Sequence, residues 1–238
     1  MELIPALGSQ DMQDALTSPY VRKTVDGLLQ VKGQSLFRLV ALFLKNFDYS
    51  KSLASSFVMK LQVLKLNHTK RPDADGTFSL PSHAAEILSN VEALYKQSER
   101  QVNFQRGAIV ELLASELVAT RCSVHECYSN YRFLDGRYSS DQVDVAVFSK
   151  SREQVEAYTC ELNCMNLTSA DCTNLTALAD KARDLYYSIH IGAICFDHSS
   201  LIEQRIRDRL TDTGISMRFK AYGLDNFLEL ERSPFIWN

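Results

Sequence analysis

Two short apolar stretches, each carrying one carboxylate, constrain this chain more than anything else in it. The first is Asp141-Gln142-Val143-Asp144-Val145-Ala146-Val147-Phe148. The second is Tyr158-Thr159-Cys160-Glu161-Leu162-Asn163-Cys164, with Glu161 seventeen positions after Asp144. Each reads as a short strand. A carboxylate among buried apolar neighbours loses its hydration and is costly there unless it binds something. Strand side chains alternate faces, so Thr159, Glu161 and Asn163 are expected to point one way, with Cys160, Leu162 and Cys164 opposite. If the strands pair with Asp144 beside Glu161, the two carboxylates can share a divalent cation.

The surrounding pattern is that of an α/β chain. Apolar residues Phe37, Val40, Ala41 and Leu44 predict a helix over 34–47, and Leu53, Phe57, Leu61 and Leu64 predict a second to about Leu66, capped by Ser50 or Ser52. The two read equally as a helix-turn-helix or a plain helical hairpin. Residues 1–20 show little periodicity. Residues 67–82 are turn-rich, and Ser82 opens a helix to about Arg100. Gln105-Arg106-Gly107 opens another to about Thr120, with Gly107, Glu111, Ala114, Ser115 and Val118 on one face. Strands are expected over 127–134, through Asp144 to Ser149, through Glu161, over 191–196 and over 215–222. Helices are expected over 175–189 and 201–210. No Gly-rich phosphate loop occurs and the histidines do not cluster, so neither a nucleotide nor a His-based triad is implied.

Net charge is −3, but residues 21–71 hold ten Lys or Arg against Asp26 and Asp48. That local +8 leaves −11 for the rest. Local charge decides whether a polyanion can dock. Lys51, Lys60, Lys65, Lys70 and Arg71 are the candidate contacts to a nucleic acid. A solvated basic helical face is the alternative. No apolar run reaches the ~18–20 residues of a membrane span, and Met1-Glu2-Leu3-Ile4 lacks the shape of a signal peptide. The six cysteines have no CxxC spacing. A cytoplasmic protein without a membrane partner is expected, its cysteines acting as small hydrophobes.

From Gly107 the expected order is helix, three strands, helix, strand, helix, strand. With Asp144 on one strand and Glu161-Leu162-Asn163 on the next, residues 104–225 resemble the PD-(D/E)xK nuclease superfamily, the restriction endonuclease-like fold. Asp144 matches the family's Asp and Glu161 its Glu. Asn163 stands in place of the usual Lys, and Val143 in place of the Pro. The resemblance implies a mixed central sheet flanked by helices and a Mg2+ or Mn2+ ion held by Asp144, Glu161 and the Leu162 carbonyl. It adds Glu111 on the first core helix as a further ligand. The implied activity is DNA phosphodiester hydrolysis, with Asp144, Glu161, Asn163 and Glu111 as the catalytic set and Lys181 as the candidate for a relocated lysine. A degenerate, binding-only version of the fold is the alternative. A homo-oligomer is expected, most simply a dimer, because two strands need two sites. The expected divisions are a basic helical region over 1–75, a connecting helix within 76–103 and the α/β domain over 104–238.

Overall fold

The computed structural model describes residues 1–6, 8–68, 82–122, 126–136, 138–210 and 219–235, with side chains throughout except at 65–68 and 82. The chain forms two compact units. One is Gln10–Leu112; the other joins Met1–Ser9 to Leu113–Asn238.

The first unit is helical. Its elements are α1 (Gln10–Thr17), α2 (Pro19–Gln30), α3 (Ser35–Asn46), α4 (Tyr49–Ser52), α5 (Ser55–His68), α6 (Ser82–Tyr95) and the start of α7 (Glu99–Ala119). The expected pair of long helices is interrupted by α4, whose N-cap is Asp48: its carboxylate accepts the Lys51 N–H. Gly27 lets α2 lie close to α6, since a Cβ there would meet Ile87 Cγ1 at 2.4 Å. Phe43, Phe47, Phe57 and Tyr95 pack ring against ring. The buried Arg106 guanidinium donates to the Leu44 and Lys45 carbonyls, two of the acceptors that the end of α3 leaves unpaired. α7 begins six residues before the expected start at Gln105, with the Ser98 N–H and hydroxyl donating to Gln101.

The second unit is built on a mixed sheet. Its strands are β1 (Glu2–Pro5), β2 (Cys127–Asp135), β3 (Tyr138–Ser139), β4 (Val143–Ser149), β5 (Gln154–Glu161), β6 (Ser188–Cys195) and β7 (Phe219–Tyr222). The order across the described residues is β1-β2-β4-β5-β6-β7, with β3 paired to β2. Pairing is antiparallel from β1 to β5 and parallel from β5 to β7. The parallel steps need crossovers, supplied by α8 (Ser169–Asp184) and α9 (Ser199–Arg209). One sheet face buries Ala146, Phe148, Val155, Ala157, Ile191 and Ala193 in a core with Leu175, Leu178 and Ala179 of α8 and Ile202 and Ile206 of α9.

Several boundaries differ from the sequence expectations for local reasons. β1 was not foreseen; its hydrogen bonds come from β2, far along the chain. The helix expected over 175–189 is α8, which starts at Ser169 because Thr168 and Asp171 form a reciprocal capping box. It ends at Asp184 because Tyr186 turns left-handed at φ 61°, while the Tyr186 and Tyr187 N–H groups bond back to Arg183 and Ala182. The early part of the strand expected over 215–222 lies outside the described residues; β7 is its end.

Candidate functional site

β4 and β5 bring Asp144 and Glu161 to one face. Their register pairs Val145 with Tyr158, so one step further sets Asp144 opposite Thr159. Asp144 Oδ2 accepts the Cys160 N–H at 2.7 Å and the Thr159 hydroxyl at 3.3 Å. Glu161 lies two residues beyond Thr159 on the same face, a diagonal neighbour at roughly 7–8 Å. Both carboxylates are half-buried. The side is the one that α8 and α9 cover, and Asp171 in the first turn of α8 adds a third negative charge to the surroundings.

These acids do not hold their ordinary proton affinities. Burial raises the Asp144 carboxyl to about 6; its bonds from Cys160 and Thr159 oppose the rise, and Asp171 adds to it. Glu161 is pushed up to about 7, first by burial and then by the charges of Asp144 and Asp171. Each charged group acting on Glu161 is an acid. Neither carboxylate has an ion-pair partner among the described residues. A proton or a bound cation relieves such a pair.

The donor set fits a hard divalent cation. It offers only oxygens: two carboxylates and the Leu162 carbonyl, which accepts the Phe196 N–H at 3.3 Å and keeps a second lone pair. Among the described residues no group of three or more His, Cys, Asp or Glu side chains gathers as a metal cluster. A cation held by so few protein ligands keeps several waters, as Mg2+ does.

The remaining candidates are placed differently. Asn163 is not on the strand as expected: β5 ends at Glu161, and the Asn163 carboxamide oxygen accepts the Met165 N–H at 3.0 Å in the following turn. The Lys181 ammonium lies 2.8 Å from Asp135 Oδ2, so its charge is matched there. Glu111 is buried on α7 within the helical unit. Lys51 pairs with Asp48 at 3.5 Å and Lys60 sits 5.1 Å from the centre of the Phe47 ring. Lys65 is on α5, with its side chain outside the described residues, as are Lys70 and Arg71 entirely.

The opposite sheet face holds a polar cluster that the sequence reading missed. Glu156 is 3% exposed and takes the Arg121 guanidinium on both carboxylate oxygens. The Tyr158 hydroxyl donates to Glu156 Oε2 at 2.6 Å, and Arg121 Nε donates to the Leu230 carbonyl at 2.7 Å. His190 and the Tyr222 hydroxyl are bonded at 2.9 Å, and burial lowers His190 to about 4. Gly192 makes room for the rings, since a Cβ there would meet Tyr158 Cδ1 at 3.1 Å and Tyr222 Cε2 at 3.2 Å. A polar cleft of about 450 Å3 opens beside Arg121 and Glu156.

No known protein-family model matches this chain, and no curated protein matches it significantly.

Proposed function

We propose that this chain is a divalent-metal-dependent endonuclease that hydrolyses DNA phosphodiester bonds on a restriction endonuclease-like core. The observation that carries the reading is the Asp144–Glu161 pair: two carboxylates on one face of adjacent strands, both held above their ordinary acidity with no basic partner. The element order supports it too. α7, three antiparallel strands β2, β4 and β5, the crossover α8 and the parallel strand β6 follow the order that the resemblance implies.

Asp144 and Glu161 would hold Mg2+ or Mn2+, with the Leu162 carbonyl. The cation would supply Lewis-acid activation of the phosphodiester and of water. Asp144 is oriented for this by Cys160 and Thr159. Glu161, near 7, can carry or release a proton at its carboxyl within the physiological range. The basic region over 21–71 would hold the DNA backbone, with exposed Lys60 as one contact. A cytoplasmic dimer would give one site per strand; the six free cysteines suit that compartment.

A second reading is a nuclease-fold module that binds nucleic acid without cutting. It is favoured by Asn163, which brings no charge and is occupied in a turn. Losing one preorganised electrostatic contact typically costs ~10²–10³ in rate. Supercoiled plasmid incubated with Mg2+, Mn2+ or EDTA separates the readings. Metal-dependent nicking that disappears in Asp144→Asn is the expected result. DNA binding without nicking in any metal would leave the second reading standing.

A further inference from the structure

β2 carries an anomaly directly beside the carboxylate pair. Asn130 has φ 59°, a left-handed conformation that costs free energy inside a strand. The β2–β4 register pairs Ser129 with Val145 and Tyr131 with Val143, which leaves Asn130 facing Asp144. Asn is among the few residues that tolerate this backbone. Its carbonyl accepts the Ala6 N–H at 2.8 Å, so the end of β1 is tied to the same residue.

The Asn130 side chain meets Gln142 rather than Asp144. Gln142 Nε2 donates to Asn130 Oδ1, and the Gln142 side chain also hydrogen-bonds Asp144. A primary amide has two N–H donors, one for each of these acceptors. Gln142 is itself gripped from α8: Asn174 Nδ2 donates to its carbonyl at 3.4 Å, and Asn174 Oδ1 accepts the Asp141 N–H at 3.0 Å. The turn entering β4 is therefore fixed from both sides, and its one side chain directed to Asp144 is neutral. A neutral donor can orient a carboxylate without cancelling its charge, as a Lys or Arg in the same place would.

We propose that Asn130 and Gln142 are positioning residues for Asp144, forming an amide relay that presents its carboxylate to a divalent cation. The inference rests on the cation reading of the Asp144–Glu161 pair. Groups that orient a metal ligand typically change metal affinity 10–100-fold when removed. The left-handed backbone at Asn130 serves the relay by aiming its amide at Gln142.

Titration with Mn2+ alone, followed by electron paramagnetic resonance, tests it without any need for cleavage. The proteins are wild type, Asp144→Asn, Gln142→Met and Asn130→Gly. Gln142→Met keeps length and loses the donors; Asn130→Gly keeps the backbone conformation and loses the amide. A parallel thermal melt identifies a variant that has lost its fold. Folded Gln142→Met or Asn130→Gly protein that binds Mn2+ 10–100-fold more weakly than wild type is the expected result. Wild-type affinity in both, with loss in Asp144→Asn, overturns the relay and leaves the cation site intact. Absence of Mn2+ binding by wild type overturns the cation reading and the relay with it.

Discussion

Asp144 and Glu161 were legible because a carboxylate flanked by Val, Ala or Tyr in a strand stands out against the usual alternation. Glu156 obeys the same rule, between Val155 and Ala157, yet it was read as the edge of a polar turn. What satisfies it, Arg121, lies 35 residues away, and no local pattern links the two. The energetic signature of that pair differs from that of the Asp144 site, since here the charge is fully compensated. Arg121→Met leaves Glu156 buried and unpaired, and is expected to lower stability by about 3–5 kcal/mol in urea denaturation. Arg121→Met combined with Glu156→Leu should recover most of that loss. A single variant costing less than ~1 kcal/mol would show that the pair is readily replaced by water.

Where a strand ends decides what its last side chains can do. The alternation argument carried β5 on to Cys164, whereas Glu161 is its last residue and the Asn163 side chain closes the next turn. Nothing in the apolar pattern marked that stop, because Leu162 and Cys164 are buried in the loop as well. Helix positions fared better where a wide apolar stripe sets them, as in α3, and worse where capping chemistry does. The Thr168–Asp171 box starts α8 well before its apolar stripe begins, and it also anchors the acid that acts on Asp144 and Glu161. Thr168→Ala should cost about 0.5–2 kcal/mol. Faster hydrogen exchange at the Asp171 amide is its local sign; unchanged exchange there would mean the cap contributes nothing.

At the scale of the whole molecule the titrating groups pull stability in opposite directions. Asp144 and Glu161 rise to about 6 and about 7, so the folded chain holds these protons more tightly than the unfolded one. Their contribution is complete below the unfolded values near 4 and is lost as pH rises through 6 to 7. His190 falls to about 4; its contribution is present above about 6.5 and is lost as pH falls through about 4. A bound cation should therefore help most where the two acids are ionised. Millimolar Mg2+ is expected to raise Tm more at pH 8 than at pH 5, and Asp144→Asn to erase the difference. An equal rise at both pH values would detach the stabilisation from this pair. The mixed sheet flanked by helices was legible from the order of apolar segments, whereas β1 was not, since a strand of four residues gains its definition only from its partner. That partnership also has a temporal side. Glu2 pairs with Leu134, and the whole of Gln10–Leu112 lies between them. As the chain leaves the ribosome, its first strand must wait through the making of an entire helical unit before an edge exists to receive it. Closing so long a loop adds little to the equilibrium cost but delays the contact. The sheet is thus completed by the oldest residues of the nascent chain joining some of the youngest.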